Sequence, residues 1–313
     1  MIIKNKMNLP DIIVQVAQAY TDDYNRIIVT NKYSVTELLK PAHMVKLERL
    51  HWEERTEDVA NMLYAIRGTG IHQQVSQVAK MFPERYFSEE ALELRINIRN
   101  FEYTIKGKYD LYDKEIERLY DIKSGAVYGA CIEPNGKPND LIQIRIYAYM
   151  IEKLLGLNVK SAEIIRILYD WNKLDFKKKK YDNYPEYGIQ NIDIPLFDSF
   201  GFTNQKIEFI INELLEKHIY NDGSMCSPAE RWHKVDTWKI YILGKYNKAI
   251  KICYSEVESR EYIARINTGK TYETRFIPGE DTRCINYCSV KDFCDYYKQT
   301  YGIQNKDLQN TGD

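Results

Sequence analysis

The sequence predicts an α/β protein with a cysteine-rich C-terminal extension. Along its 313 residues, segments with apolar side chains at helical spacing give way to segments of alternating apolar and polar residues, and then to helices again. Three cysteines fall within eleven residues near the C-terminus. Hydrophobic residues make up 44% of the chain and charged residues 28%, as in an ordinary globular protein. The length suits one large domain, or a core with a smaller extension.

The N-terminal part is predicted to be helical over its first 60 or so residues, with a break at Pro41. Gly68 and Gly70 are then expected to interrupt the chain. An amphipathic helix follows, and His72 lies beside its apolar stripe. The stripe consists of Ile71, Val75, Val78 and Phe82. Residues 89–94 are predicted to form a further short helix.

From Arg95 onwards the pattern changes to a period of two, which predicts an antiparallel meander of strands. Asp110 and Asp121 are equidistant from a turn near residues 115–116. A hairpin that closes there places the two carboxylates opposite each other on neighbouring strands. Lys123 follows Asp121 by two residues and therefore shares its face of the strand. The sequence thus predicts two carboxylates and one ammonium group on a single patch.

The chain after the meander is predicted to hold a buried helix, a strand and a second helix. The buried helix begins after a cap at Asn139 or Asp140 and is apolar almost all round. Gln143 and Tyr147, four residues apart, share one face of it. The three elements are expected at residues 141–155, 161–169 and 206–218.

After residue 220 the character of the sequence changes. A hairpin is predicted from the segments 238–243 and 249–254, and a helix is predicted at 256–266. We therefore expect three parts. They are a core with a helical N-terminal part at residues 1–220, a hairpin-helix extension with the cysteine cluster at 221–300, and a polar tail at 301–313.

The net charge of −1 gives the protein no global attraction to nucleic acid. One local segment is basic, namely Lys173 and the run Lys177–Lys180, with Tyr181 and Tyr184 close behind. Such a run is either a solvated face or a phosphate-binding surface.

Neither a signal peptide nor an apolar run long enough to span a membrane is visible. The sequence therefore predicts a cytoplasmic protein with reduced cysteines.

The patch around Asp110 and Asp121 suits a hard divalent cation. The two carboxylates offer oxygen ligands for Mg²⁺ or Mn²⁺, and the imidazole of His72 can complete the ligand set, which favours Mn²⁺. Lys123 can orient a water molecule, or help to remove its proton if the pKa of the lysine is depressed. A cation that activates water and offsets phosphate charge carries out phosphodiester cleavage.

Four motifs in this order resemble the RecB-like branch of the PD-(D/E)XK nuclease superfamily. Within about residues 30–170, they are His72 on a helix, Gly-x-x-Asp from Gly107 to Asp110, Asp-x-Lys from Asp121 to Lys123, and Gln-x-x-x-Tyr from Gln143 to Tyr147. The resemblance implies a mixed central β-sheet flanked by helices, which is a restriction-endonuclease-like core.

The resemblance also implies a role for each motif residue. It implies that the metal is bound by His72, Asp110, Asp121 and the backbone carbonyl of Ile122. It further implies that Lys123 is catalytic together with the two aspartates. The pair Gln143 and Tyr147 would line the groove and position DNA.

The cysteines predict a second metal site. In a reducing compartment, Cys284-x3-Cys288-x5-Cys294 suits Zn²⁺ or an iron–sulfur cluster, since both accept four thiolates. Some RecB-like exonucleases, including those tied to CRISPR adaptation, hold a [4Fe–4S] cluster with one cysteine before the core and three after it. Here no cysteine precedes His72, and Cys226 is the candidate fourth ligand. Iron–sulfur, zinc and no metal stay open.

Together these features predict a metal-dependent DNA nuclease. We expect an exonuclease that acts on single-stranded or duplex DNA ends in repair, recombination or phage DNA processing, with protein partners in such a complex. Two alternatives are a non-catalytic nucleic-acid-binding subunit that keeps the fold, and an RNA nuclease with the same active-site residues. The intact set of Asp110, Asp121 and Lys123 argues against the first alternative.

Overall fold

The computed structural model describes residues 1–19, 27–196, 204–221, 223–266 and 269–302. The chain divides into two compact units, with the boundary after residue 222. The sequence predicts this boundary at residue 220.

Of the ten strands described in the larger unit, five have three residues, one has six and four have eight. They are β1 (Ile2–Lys4), β2 (Lys32–Ser34), β3 (Thr56–Asp58), β4 (Tyr86–Ser88), β5 (Ala91–Ile98), β6 (Phe101–Lys108), β7 (Leu111–Asp113), β8 (Arg118–Gly125), β9 (Ser161–Leu168) and β10 (Ile189–Ile194). The helices are α1 (Asp11–Ala19), α2 (Val35–Leu38), α3 (Ala42–Leu50), α4 (Val59–Ala79), α5 (Val127–Ile132), α6 (Pro138–Leu155), α7 (Lys173–Lys177) and α8 (Asn204–Ile219).

The larger unit is built on a mixed β-sheet, as the sequence analysis predicts. The strand order in its five-stranded sheet is β10-β9-β8-β7-β4, and β8 and β9 run parallel while the other neighbours are antiparallel. A three-stranded sheet has the order β2-β6-β5. Helix α6 contacts β5 of the smaller sheet, β8 and β9 of the larger one, and α8. Its side chains from Ile144 to Ile151 are all buried, so α6 forms the centre of the core.

The hairpin predicted around residues 115–116 is confirmed. In the β7–β8 pairing, Leu111 lies opposite Tyr120 and Asp113 lies opposite Arg118. Continued by one residue, this register brings Asp110 beside Asp121. The period-two pattern and the position of the turn are local properties of the sequence, which is why this part of the fold is predictable.

Two expectations about the N-terminal half are wrong. Residues 89–94 are not helical, because the segment from Ala91 pairs with β6 and alternates buried with exposed side chains. Gly68 and Gly70 do not interrupt the chain, since α4 runs through both for 21 residues. A glycine costs about 1 kcal/mol relative to alanine inside a helix, and the contacts of α4 with β4, β7 and β8 offset that cost.

The predicted boundaries of two helical features also need correction. Val78 and Phe82, which belong to the expected apolar stripe, are exposed by 53% and 47%, so that stripe is not the buried face of α4. Neither Asn139 nor Asp140 caps α6, which begins at Pro138. Proline is favoured at this position because its φ is already helical. The amide of Asn139 instead donates to the Leu39 carbonyl at 3.0 Å.

The C-terminal unit contains the predicted hairpin and helix. Its elements are β11 (His233–Lys234), β12 (Thr237–Ile242), β13 (Lys251–Cys253), α9 (Glu256–Arg265), β14 (Tyr272–Ile277), β15 (Glu280–Asp281), α10 (Thr282–Asn286), a 3₁₀ turn (Lys291–Phe293) and α11 (Asp295–Tyr301). Strand β12 pairs antiparallel with both β13 and β14. Tyr301, which the sequence assigns to the polar tail, ends α11, while residues 303–313 lie outside the described ranges.

Of the helices described, none has both the length and the apolar character that a membrane crossing requires.

A buried carboxylate braces the hairpin that aligns Asp110 with Asp121. Asp113 accepts hydrogen bonds from Arg85 Nε at 3.0 Å and Nη2 at 2.8 Å, and from the Glu115 N–H at 3.0 Å. Burial raises the pKa of Asp113, but the bonds from Arg85 and Glu115 outweigh it and hold the pKa below the ordinary 3.8.

We expect Asp113→Asn to lower the free energy of unfolding by about 2 kcal/mol, somewhat less than for a fully buried pair, because the Arg85 side chain is 42% exposed. Since the pKa is lowered on folding, ionised Asp113 stabilises the fold at pH values above 3.8, and this contribution is lost as the pH falls further. Denaturant unfolding between pH 7 and pH 3 should show the difference from wild type shrinking.

The control is Glu102→Gln, which removes one member of an exposed 3.9 Å pair with Arg95. It should change stability by less than about 0.5 kcal/mol. An Asp113→Asn loss that is the same at pH 7 and pH 3 would contradict the assignment of the stabilisation to the ionised carboxylate.

Candidate functional site

One face of α4 lines a cleft of about 1030 Å³ in the larger unit. The 3.6-residue period of the helix brings His72 onto this face one turn after Gly68. Asp110, Lys123, Gln143 and Tyr147 line the same cleft. The structure therefore gathers five of the residues that the sequence singles out, from α4, the β6–β7 bend, β8 and α6.

A histidine and two carboxylates form a candidate metal group in this cleft. Ligand atoms of His72, Glu89 and Asp110 all lie within 4.8 Å of one another. His72 Nδ1 is 3.1 Å from Asp110 Oδ1 and 3.6 Å from Glu89 Oε1. The hydrogen bond to Asp110 and the contact with Glu89 raise the pKa of His72 to about 10, although burial lowers it. A positive charge is thus held between the two carboxylates, where a cation also fits.

Glu89 is the member of this group that the sequence analysis misses. Its φ of 56° lies in the left-handed region, which is strained for a residue with a side chain. Its N–H donates to the Tyr109 carbonyl at 3.1 Å and lies 3.3 Å from the Asp110 carbonyl, which holds it in this conformation. Ion pairs with His72 and Lys108 lower the pKa of Glu89 despite its burial.

The position of Glu89 follows from strand register. In the β5–β6 hairpin, Ala91 lies opposite Lys108, and continuing the register by two residues places Glu89 opposite Asp110. The turn of this hairpin is Arg99-Asn100, and both residues have positive φ, 45° and 71°, as a two-residue hairpin turn requires. A hairpin assigned there would have pointed to Glu89 from the sequence.

Asp121 and Lys123 form a largely buried ion pair beside the metal group. Asp121 is 3% exposed, and its Oδ1 accepts a hydrogen bond from Lys123 Nζ at 3.1 Å. Its Oδ2 lies 2.9 Å from the same ammonium without hydrogen-bond geometry, and no other described residue donates to it. A buried carboxylate oxygen beside a cation, with no donor in hydrogen-bond geometry, also suits a metal ion, although Asp121 lies outside the 4.8 Å group.

Both Asp121 and Lys123 are charged at neutral pH. Burial raises the pKa of Asp121 to about 6, with Asp110 adding to the effect and Lys123 opposing it. Burial lowers the pKa of Lys123, but Asp121 and Asp110 outweigh it, so that the pKa is raised. The depressed pKa that proton removal by Lys123 requires is therefore not found, and the lysine acts as a cation.

The backbone of Ile122 faces Asp110. The N–H of Ile122 donates to Asp110 Oδ2 at 2.6 Å. In a strand, the N–H and C=O of one residue point to the same edge. The carbonyl of Ile122 therefore faces the side on which Asp110 lies, as the resemblance implies for a metal ligand.

Gln143 and Tyr147 extend the polar chain that starts at Lys123. The ammonium of Lys123 donates to Gln143 Oε1 at 3.2 Å, and Gln143 Nε2 donates to the Tyr147 hydroxyl at 3.2 Å. The Tyr147 ring packs on Gly107, where a Cβ atom would lie 2.7 Å from Cε1 of the ring. Gly107 is thus needed for close approach, which explains the glycine of the Gly-x-x-Asp motif.

Four lysines are among the residues that line the cleft. Lys80, Lys106 and Lys108 line it in addition to Lys123. Lys108 pairs with Glu89, and Lys106 pairs with Glu93 at 3.0 Å. With Lys123 paired to Asp121, three of these four ammonium groups contact a carboxylate.

The four C-terminal cysteines lie near one another in the smaller unit. All four, Cys226, Cys284, Cys288 and Cys294, are thiols rather than disulfides. Burial raises the pKa of Cys284 to about 12, and Asp281 and the other three thiols add to this effect. In the described ranges, however, the cysteines provide no set of three whose sulfur atoms lie within 4.8 Å. The four-thiolate site stays a prediction.

Comparison with known proteins adds little. No family model matches the chain, and no curated protein matches it. Among solved structures, the chain is similar to the one described as "Crystal structure of SSO0001", with 15% sequence identity and a TM-score of 0.44 over 66% of this chain and 84% of the other. A TM-score at this level carries no argument about function.

The metal group can be tested by cation binding. We expect Glu89→Gln to weaken Mn²⁺ binding by about tenfold or more, because it replaces a carboxylate ligand by a neutral amide. Titration calorimetry with Mn²⁺ measures the effect. The matched control is Glu93→Gln, which removes an exposed carboxylate two residues into β5. Equal affinity in both variants would exclude Glu89 from the metal group.

Proposed function

We propose that the protein is a metal-dependent DNA nuclease of the RecB-like PD-(D/E)XK type that acts as an exonuclease. The observation that carries the proposal is the meeting of two features in one lysine-lined cleft, the His72–Glu89–Asp110 group and the Asp121–Lys123 pair. The order of the four sequence motifs supports the family, and the mixed sheet is consistent with it.

The residues of the cleft fit a Mg²⁺ or Mn²⁺ ion. His72, Glu89 and Asp110 would hold it, with the buried Oδ2 of Asp121 and the carbonyl of Ile122 as further candidate ligands. One nitrogen among oxygen donors favours Mn²⁺ over Mg²⁺. When bound, the ion supplies Lewis acidity to the phosphodiester and lowers the pKa of water.

Lys123 contributes a fixed positive charge. Because its pKa is raised, it serves to orient the attacking water and to offset charge that develops on the phosphate, rather than to remove a proton. Gln143 holds the ammonium from the side of α6, and Tyr147 holds Gln143. This chain of hydrogen bonds gives Gln143 and Tyr147 a positioning role toward the DNA backbone.

The biological setting proposed is DNA repair, recombination or phage DNA processing in the cytoplasm, with protein partners in such a complex. RNA cleavage is the second candidate function, because the same cation and carboxylates act on either backbone. A binding subunit without catalysis is disfavoured, since the buried Asp121–Lys123 pair is costly to maintain without a role.

For the cysteines we propose an iron–sulfur cluster held by Cys226, Cys284, Cys288 and Cys294. The other three thiols lie near enough to Cys284 to raise its pKa, which suits a shared centre, and soft thiolate ligands accept either an iron–sulfur cluster or zinc. The high pKa of Cys284 fits a thiol that loses its proton only to a metal.

The nuclease proposal predicts that Lys123→Ala lowers the cleavage rate by at least about a hundredfold. Lys123→Gln should do the same while it keeps a hydrogen-bond donor for the buried Asp121. The assay digests single-stranded DNA, duplex DNA and RNA with Mn²⁺ and with EDTA, and thermal unfolding checks that each variant folds.

Lys153→Ala is the matched control, since Lys153 lies on α6 and forms an exposed pair with Glu208 at 3.2 Å. It should cleave at the wild-type rate. If a folded Lys123 variant cleaves at the wild-type rate, Lys123 has no part in the mechanism. If the wild type cleaves in EDTA, the reaction does not need a metal ion.

The cluster proposal is tested by anaerobic purification. We expect a brown protein that absorbs near 400 nm and loses this absorbance in Cys284→Ser. The control is Cys253→Ser, which changes a buried cysteine of β13. A colourless protein with one equivalent of zinc would favour the tetrahedral site instead, and a protein without either metal would end the four-thiolate assignment.

A further inference from the structure

An arginine–tyrosine pair borders the cleft at the end of the strand that carries Lys123. The Arg67 guanidinium lies 4.9 Å from the centre of the Tyr169 ring. Arg67 directly precedes Gly68, which lines the cleft. The Tyr169 N–H donates to the Gly125 carbonyl at 3.2 Å, two residues after Lys123. Arg67 thus adjoins a cleft residue along α4, and Tyr169 is bonded to the end of β8. Tyr169 is 51% exposed.

Further tyrosines continue the surface away from the cleft. Asp170 Oδ1 accepts the Val127 N–H at 2.7 Å, which holds the start of α5 next to Tyr169. The adjacent Tyr128 is 55% exposed, and its ring meets that of Tyr181 edge-on at 5.3 Å. Because more than half of Tyr128 is exposed, its ring is available to a ligand.

The lysine run lies at the far end of this surface. Lys180 lies 5.5 Å from the centre of the Tyr181 ring and pairs with Asp175 at 2.8 Å. Lys177, Lys178 and Lys179 are exposed, and no carboxylate in the described ranges lies within 4.0 Å of their ammonium groups. Three exposed ammonium groups therefore follow the tyrosines.

We propose that this surface, formed by Arg67, Tyr128, Tyr169 and Lys177–Lys179 and here called the stacking surface, binds a single DNA strand that leads from the cleft. Exposed rings stack on unpaired bases, and ammonium groups bind phosphates, without regard to sequence. In a duplex the bases already stack on each other, so the rings select single strands. The inference rests on the proposed function and adds to it a substrate class, single-stranded DNA.

The test is binding of a fluorescein-labelled 20-nucleotide oligo(dT) by fluorescence anisotropy, with EDTA present to prevent cleavage. Tyr169→Ala should weaken binding about tenfold, the loss of one stacked base, and Tyr128→Ala gives a second, independent variant. Tyr169→Phe keeps the ring and should bind within about twofold of wild type. Thermal unfolding confirms that each variant folds.

The matched control is Tyr220→Ala. Tyr220 is 44% exposed, and the Arg99 guanidinium lies 4.4 Å from its ring centre, so it forms the same kind of pair. It follows α8 and contacts Arg99 in the turn between β5 and β6, so its loss should leave the affinity unchanged.

The lysines are tested by salt dependence. For a single strand, the slope of log affinity against log salt falls by about 0.7 for each phosphate that the protein no longer neutralises. The double variant Lys177→Gln, Lys178→Gln should therefore reduce the slope by about 1.4, and an unchanged slope removes the lysines from the stacking surface.

Other outcomes separate this inference from the proposed function. Cleavage of single-stranded DNA with Mn²⁺ by a protein whose Tyr169→Ala and Tyr128→Ala variants bind normally keeps the nuclease and overturns the stacking surface. If binding depends on Tyr169 but no substrate is cleaved, the stacking surface is kept and the nuclease proposal is overturned. A wild type that fails to bind the oligonucleotide, or binds a 20-base-pair duplex with equal affinity, also overturns the single-strand assignment.

Discussion

The pairing of strand β8 is the constraint on which the cleft depends. β8 pairs with β9 along its whole length, but with β7 only through three residues. Because β7 begins at Leu111, the ladder offers the Ile122 N–H no partner, and Asp110 Oδ2 accepts it at 2.6 Å. The other oxygen of Asp110 faces His72 at 3.1 Å. The Asp110 carboxylate thus takes the place of a strand partner for Ile122 and also belongs to the metal group. Because it is bonded to the backbone of β8, its position is as fixed as that backbone.

The acidic residues of the site are arranged by strand register. Glu89 lies opposite Asp110 in the continued register of β5 and β6, and Asp110 lies opposite Asp121 in that of β7 and β8. The chain leaves one sheet and enters the other between Lys108 and Leu111, so Asp110 is shared by both. Three carboxylates from three separate segments therefore meet at the junction of two sheets, where neither sheet alone would bring them together. The strained φ of Glu89 is tolerated because this junction fixes it from both sides.

The sequence predicts those features that depend on short spacings. Asp121 and Lys123 share a face because a strand repeats every two residues, and the hairpin around residues 115–116 follows from symmetry. Features decided by tertiary contacts are not predictable in this way. A helix through Gly68 and Gly70 depends on packing against three strands, and the segment from Ala91 forms a strand by pairing with β6. Glu89 lies in the bend between β4 and β5, and the signal in the sequence that points to it is the hairpin turn at Arg99-Asn100.

The charges of the site explain why it suits an anionic substrate. His72, Lys108 and Lys123 each contact a carboxylate, and these three cations balance Glu89, Asp110 and Asp121. The six groups are therefore neutral together as long as the imidazole is protonated, which its raised pKa ensures at neutral pH. With a divalent cation in the position of that single proton, the same groups carry one net positive charge. A phosphodiester carries one negative charge, so a bound divalent cation would make these six groups complementary to the proposed substrate.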